Sequence, residues 1–144
     1  MGLNVKKATL WRKEVTHEPG VLAGVLEPLA QASVNLRVVM GYAMGDSGRA
    51  AIEVFPIAGK KASRAAGEAG LQASMIPCLL VEGDDRAGLG AAMARAIASA
   101  GINISFLSAE TVGRKFSAVL GFRNDAEATA AAKAIKSAAK PRKR

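Results

Sequence analysis

Gly20 and Gly88 stand 68 residues apart, and so do Asn35 and Asn103 (88 − 20 and 103 − 35). Glu14 and Glu82, Ala23 and Ala91, Ala30 and Ala98, and Ala32 and Ala100 share that offset. One ungapped register through a strand end, a turn, a helix and the next strand marks an internal duplication. A duplicated chain of 144 residues divides into two small, similar units. Each unit alone buries little surface, so the copies are expected to pack on each other and on a second chain.

In the second copy a strand over 77–82 leads into Asp84, Asp85, Arg86, Ala87, Gly88 and Leu89. Leu89, Met93, Ile97 and Ala100 then recur at helical spacing, Gly101 stops the helix, and residues 102–107 read as a strand. In the first copy His17, Glu18, Pro19, Gly20, Val21 and Leu22 lead into a helix with Val25, Leu26 and Leu29 inward, then Ser33, Val34, Asn35 and Leu36. Pro19 suits a helix start, where its missing amide would be unpaired anyway. Pro28 falls inside the helix and predicts a kink.

The remaining elements follow from patterning and turn chemistry. Residues 1–7 read as a loose start and 8–16 as the first strand. Strands over 34–44 and 50–57 flank the turn residues Gly45, Asp46, Ser47 and Gly48 and form a hairpin. A small helix over 60–69 ends at Gly70, and 71–76 reads as a short strand. In the second copy 103–111 pairs with 115–123, and Asn124 caps a helix over 125–139, with Glu127 completing a capping-box pattern. The first copy therefore reads βαββαβ and the second βαββα. The missing strand leaves an edge for another chain or the other copy to cover.

The turns carry the chemistry. A glycine turn opening a helix leaves amides without intrahelical partners at the positive end of the dipole, a setting for a carboxylate. An acid beside such a turn can pair with an ammonium, so the two together suit a zwitterion. The same residues also have purely architectural readings. The glycines permit a tight turn, Asp84 and Asp85 complement a helix dipole, and Asn35 and Asn103 satisfy local backbone groups.

Other classes of function find little support. His17 has no cluster of His, Cys or acids at metal spacing. No nucleophile, base and orienter are in view, and Gly88-Leu89-Gly90 lacks the further glycine of a dinucleotide fingerprint. No catalysis, metal or cofactor is expected. Cys78 is the only cysteine, among apolar neighbours; a buried strand thiol fits a reducing compartment and hence the cytoplasm. No apolar run suggests a signal peptide or a membrane span. The formal charge of +8 is largely terminal, with Lys140, Arg142, Lys143 and Arg144 in a basic tail and Lys6, Lys7, Arg12 and Lys13 near the start. Such a tail binds phosphates in some proteins. Here only 4% of residues are aromatic, leaving little to stack bases on, so the tail is read as solvated and dispensable.

The pattern acid–x–Pro–Gly–x–Leu, a helix, then Gly–x–Asn–Ile resembles the ACT domain. The second copy carries Glu82, Asp85, Gly88, Leu89 and Gly101-Ile102-Asn103-Ile104; the first carries Glu14, Pro19, Gly20, Leu22 and Asn35-Leu36. The resemblance implies an α+β fold of two ferredoxin-like βαββαβ sandwiches over 8–76 and 77–140, followed by a tail over 141–144. It implies a small ligand, commonly an amino acid, held where two ACT modules meet. The implied ligand-binding residues are His17, Pro19, Gly20, Val21, Leu22 and Asn35 in the first copy. In the second they are Asp85, Arg86, Ala87, Gly88, Leu89, Asn103 and Ile104. His17 departs from the usual Asp or Asn, Ala87 from Pro, and Ser33 from Gly. Because it keeps both the acid and the full Gly-Ile-Asn-Ile run, the second copy is the expected site, with the carboxylate on the amides around Gly88 and Leu89, the ammonium near Asp85, and Asn103 within reach. ACT modules usually accompany an enzyme or a DNA-binding domain, and neither fits in the remaining residues. The expectation is a free-standing, homodimeric tandem regulator of an enzyme or transcription factor. A nucleic-acid binder using the basic ends and a ligand-free interaction module remain as alternatives.

Overall fold

A computed structural model describes residues 3–139. The basic tail from Lys140 lies outside the described residues. In chain order the elements are β1 (Asn4–Ala8), β2 (Trp11–Thr16), α1 (Val21–Gln31), β3 (Val38–Ala43), β4 (Arg49–Phe55), α2 (Lys60–Glu68), β5 (Gln72–Ala73), β6 (Cys78–Asp84), α3 (Leu89–Ser99), β7 (Phe106–Val112), β8 (Lys115–Gly121) and α4 (Asp125–Ala138). They form two antiparallel four-stranded sheets, ordered β3-β4-β2-β5 and β1-β6-β8-β7. The first sheet belongs to a compact unit spanning Thr9–Met75; the second belongs to a unit made from the described residues through Ala8 and from Ile76 onward.

In the first unit the sheet face toward the helices carries Val15, Ala50, Ile52 and Val54, which pack with Val25 and Leu29 of α1 and with Ala65 and Ala66 of α2. Helix α1 runs through Pro28 because Val25 and Leu29 are buried on its inward face; tertiary packing outweighs the lost hydrogen bond. Every strand of this unit is shorter than expected: β2 starts at Trp11 because Ala8 belongs to β1, β4 ends at Phe55, and β3 and β5 shorten most. The Leu71 amide donates to the Ala66 carbonyl at the end of α2, so β5 begins only at Gln72. The Val34 amide likewise donates to Leu29 at the end of α1, and β3 starts at Val38. Asn35 and Asn103 nevertheless stand equivalently, three residues ahead of Val38 and Phe106 (38 − 35 and 106 − 103).

The opposite face of this sheet holds a buried carboxylate. Glu53 is 0% exposed, and the Tyr42 hydroxyl donates to its Oε2 at 2.9 Å. Burial first, and then the neighbouring Glu53, push the Tyr42 phenol above its ordinary pKa, against the pull of Arg12. Tyr42 therefore keeps the proton it donates.

In the second unit Leu79, Val81, Phe116, Ala118 and Leu120 face Met93 and Ile97 of α3 and Ala128, Ala131 and Ile135 of α4. Cys78, in β6, is buried. Asn124 caps α4 as expected, its Oδ1 accepting from the Glu127 amide at 2.8 Å. The Glu127 carboxylate accepts instead from Arg123 at 2.8 Å, so the capping box stays one-sided.

The loose start expected over 1–7 is corrected by β1. It pairs with β6, Val5 opposite Val81 and Lys7 opposite Leu79, as β5 pairs with β2 in the other unit. The strand expected to be missing from the second copy thus comes from the beginning of the chain, and the edge of β6 is covered from within. A single valine between Asn4 and two lysines gives no periodicity to read, although Val5 is buried in this core. Val5→Ala is expected to destabilise the protein by about 2 kcal/mol in urea unfolding; an unchanged midpoint would show that β1 adds nothing to the core.

Candidate functional site

The two glycine turns are built alike. Gly20 has φ 92° and Gly88 φ 81°, conformations that other residues adopt only with strain. The His17 amide donates to Gly48 at 2.9 Å and the Asp85 amide to Arg114 at 2.8 Å, so each turn is tied to the hairpin beside it. Val21 donates to the Glu18 carbonyl at 3.4 Å and Leu89 to Arg86 at 3.2 Å. The Leu89 amide is therefore already engaged within the turn. The next amides, Leu22 and Ala23 in α1 and Gly90 and Ala91 in α3, have no intrahelical acceptor. Neither helix has a side-chain cap or an acid in its first turn, so the positive dipole end is uncompensated in both.

Asp84 does not serve that helix end. Its carboxylate accepts from Lys115 at 2.6 Å, directly across the β6–β8 pair. The hydrogen bond and charge of Lys115 lower the Asp84 pKa. This contribution to stability is present above the ordinary carboxylate range and disappears as the pH falls through the lowered value. Lys115→Ala is expected to return Asp84 to the ordinary carboxylate range in an NMR titration, with little change in stability at neutral pH.

What stands beside the turns differs between the units. A cavity of about 280 Å3 opens at the first. His17, Glu18 and Gly20 line it with Val21 and Leu22 of α1, Gly41, Tyr42 and Ala43 of β3, and Val15, Ala50, Ala51 and Ile52 of the inner strands. Strand register explains the opening. Ala43 lies opposite Ala50; Thr111, 68 residues after Ala43 (111 − 43), lies opposite Phe116. Phe116 is thus the counterpart of Ala50. Phe116 is 7% exposed and lies in one buried cluster with Leu89 and Met93, a far larger side chain than Ala50 at the equivalent register position. Leu89 is buried where Val21 is half-buried, and Ala109 and Thr111 stand where the first unit has the smaller Gly41 and Ala43.

The structure therefore gathers His17, Gly20, Val21 and Leu22 around one cavity, with Pro19 exposed in the turn between them. Asn35 is not among them. It lines a separate cavity of about 260 Å3 with Ser33, Pro56 and Lys61, beyond the far end of α1, a helix roughly 16 Å long. Asn103 and Ile104 likewise follow the far end of α3 from Gly88. A single unit does not bring these asparagines to its own glycine turn. Asp85, Arg86 and Ala87 are exposed.

Glu18 was missed. It supplies an acid at the first turn, one residue after His17, but the repeat aligns it with Arg86 (18 + 68). Gly41, Ala43 and Ala50 were missed because small size marks a cavity only once register is known. Among the described residues no group of three His, Cys, Asp or Glu could hold a metal, and no helix is long and apolar enough to cross a membrane. Phe116→Ala is expected to cost about 3–5 kcal/mol in urea unfolding; a cost below 1 kcal/mol would show that the ring does not fill this part of the core.

No protein-family model and no curated protein matches the chain. Among solved structures it is similar to the ligand-free regulatory subunit of aspartate kinase from Thermus thermophilus, at 21% identity over 97% of this chain and 98% of that one, with a TM-score of 0.63. The regulatory subunit of aspartate kinase from Thermus flavus is similar at 22% identity over 96% and 97%, with a TM-score of 0.58. E. coli aspartokinase III in complex with aspartate and ADP is similar at 14% identity over 94% of this chain and 32% of that one, with a TM-score of 0.59. The fold, two four-stranded antiparallel sheets with four helices, resembles the ACT-like ferredoxin fold of aspartate kinase regulatory subunits.

Proposed function

We propose that this chain is a regulatory protein of two ACT-like modules that binds an amino acid at the glycine turn of the first. The observation that carries the reading is the open cavity at an uncapped helix start, lined by Ala50 where the equivalent register position of the second module holds the buried Phe116. The ligand carboxylate meets the Leu22 and Ala23 amides at the positive end of α1. Its ammonium lies toward Glu18, with His17 at the rim. The second module, with Asp85 at its turn, is the weaker site or a structural partner. This reverses the order suggested by the acid alone.

The likeness to regulatory subunits of aspartate kinase supports control of a separate catalytic chain. Dimerisation belongs to the same proposal, on a changed motive. The edge of β6 is covered, but β3 and β7 are edge strands with equivalent exposed apolar residues, Val39 at 46% and Leu107 at 56%. Such edges pair readily with another chain. The single buried thiol Cys78 supports a cytoplasmic setting.

A thermal-shift screen of the twenty amino acids tests the reading. A ligand held only by the folded state, at a hundred times its Kd, stabilises by about 2.7 kcal/mol. Ala50→Phe is expected to fold, to fill the cavity and to abolish the shift. Binding retained in Ala50→Phe would move the site elsewhere, and no response to any amino acid would leave the structural module.

A further inference from the structure

The duplication supplies an internal comparison for the cavity. At the place where the first unit is open, the second buries a phenyl ring, that of Phe116, at 7% exposure. The same backbone frame therefore accepts an apolar group there. We infer that the ligand is an amino acid with an apolar side chain, of leucine to phenylalanine size, that enters the cavity where Phe116 stands in the other unit. This rests on the amino-acid reading above and narrows it.

The walls carry the chemistry. Val15, Val21, Ala50 and Ile52 present aliphatic surface, and Val15, Ala50 and Ile52 belong to the buried core. The polar members, His17 and Glu18, are exposed in the turn, where they meet the ligand's backbone groups rather than its side chain. Tyr42 offers no hydroxyl to the interior, because that group donates to Glu53 on the opposite face of the sheet. A hydroxyl, amide or ammonium pushed between α1 and the sheet would lose its water without gaining a partner. The volume of about 280 Å3 falls just under the roughly 300–1,000 Å3 of ordinary ligand sites, which suits one amino acid and is tight for a nucleotide.

Calorimetry on the full chain with pairs of similar shape separates the outcomes: L-valine against L-threonine, L-leucine against L-asparagine, and L-methionine against L-lysine. The apolar member of each pair is expected to bind at least about tenfold tighter. Its binding is expected to disappear in Ala50→Phe and to weaken in Val21→Thr, a swap of equal shape that makes one wall polar. Threonine, asparagine or lysine binding as tightly as its partner would overturn this inference and leave the amino-acid reading standing. Failure of every amino acid to bind, with circular dichroism showing a folded chain, would overturn both.

Discussion

Strand register in the two central pairs, β2–β4 and β6–β8, is the constraint on which the rest depends. Side chains alternate across a strand, so register decides which residues meet the helices and which turn away. In the first unit it sends Val15, Ala50, Ile52 and Val54 inward and leaves Glu53 on the other face, bonded to Tyr42. In the second it sends Phe116, Ala118 and Leu120 inward. The helices then cover whatever the register presents, and the first helix of each unit, α1 and α3, starts at a glycine in the left-handed region.

From that common frame the two units diverge through a few side chains. Ala50 and Phe116 hold the same place, and the difference in their volume separates an opening from a packed core. Val21 and Leu89, Gly41 and Ala109, and Ala43 and Thr111 differ in the same direction. The two units thus share the turn and its left-handed glycine and differ in the side chains beneath it. Glu18 stands at the open turn; at the other, Asp84 is held by Lys115 and Asp85 is exposed.

Much of the frame was legible in the sequence because it rests on local chemistry. Glycine is nearly obligatory at Gly20 and Gly88, the helical spacing of Leu89, Met93 and Ile97 marks a buried face, and Asn124 is a helix cap by residue type and position. Other features carry no local signal. Val5 sits among polar neighbours and becomes a core residue only because β6 has a free edge beside it. The amide of Leu89 looked available until the turn closed on the Arg86 carbonyl. Asn35 and Gly20 look like one site in a motif, yet a whole helix separates them.

The sequence by itself determined the 68-residue register of glycines and asparagines, the α+β class, the order of most elements and the positions of both helix-opening turns. Each of these follows from residue type and spacing over a few positions. Only the tertiary structure decided that the beginning of the chain completes the second sheet, that the asparagines stand apart from the turns, and that Ala50 and Phe116 are counterparts. Strand partners are chosen across the chain, and the volume at a point in the core is the sum of what several strands and a helix bring to it. No stretch of sequence read alone contains that sum.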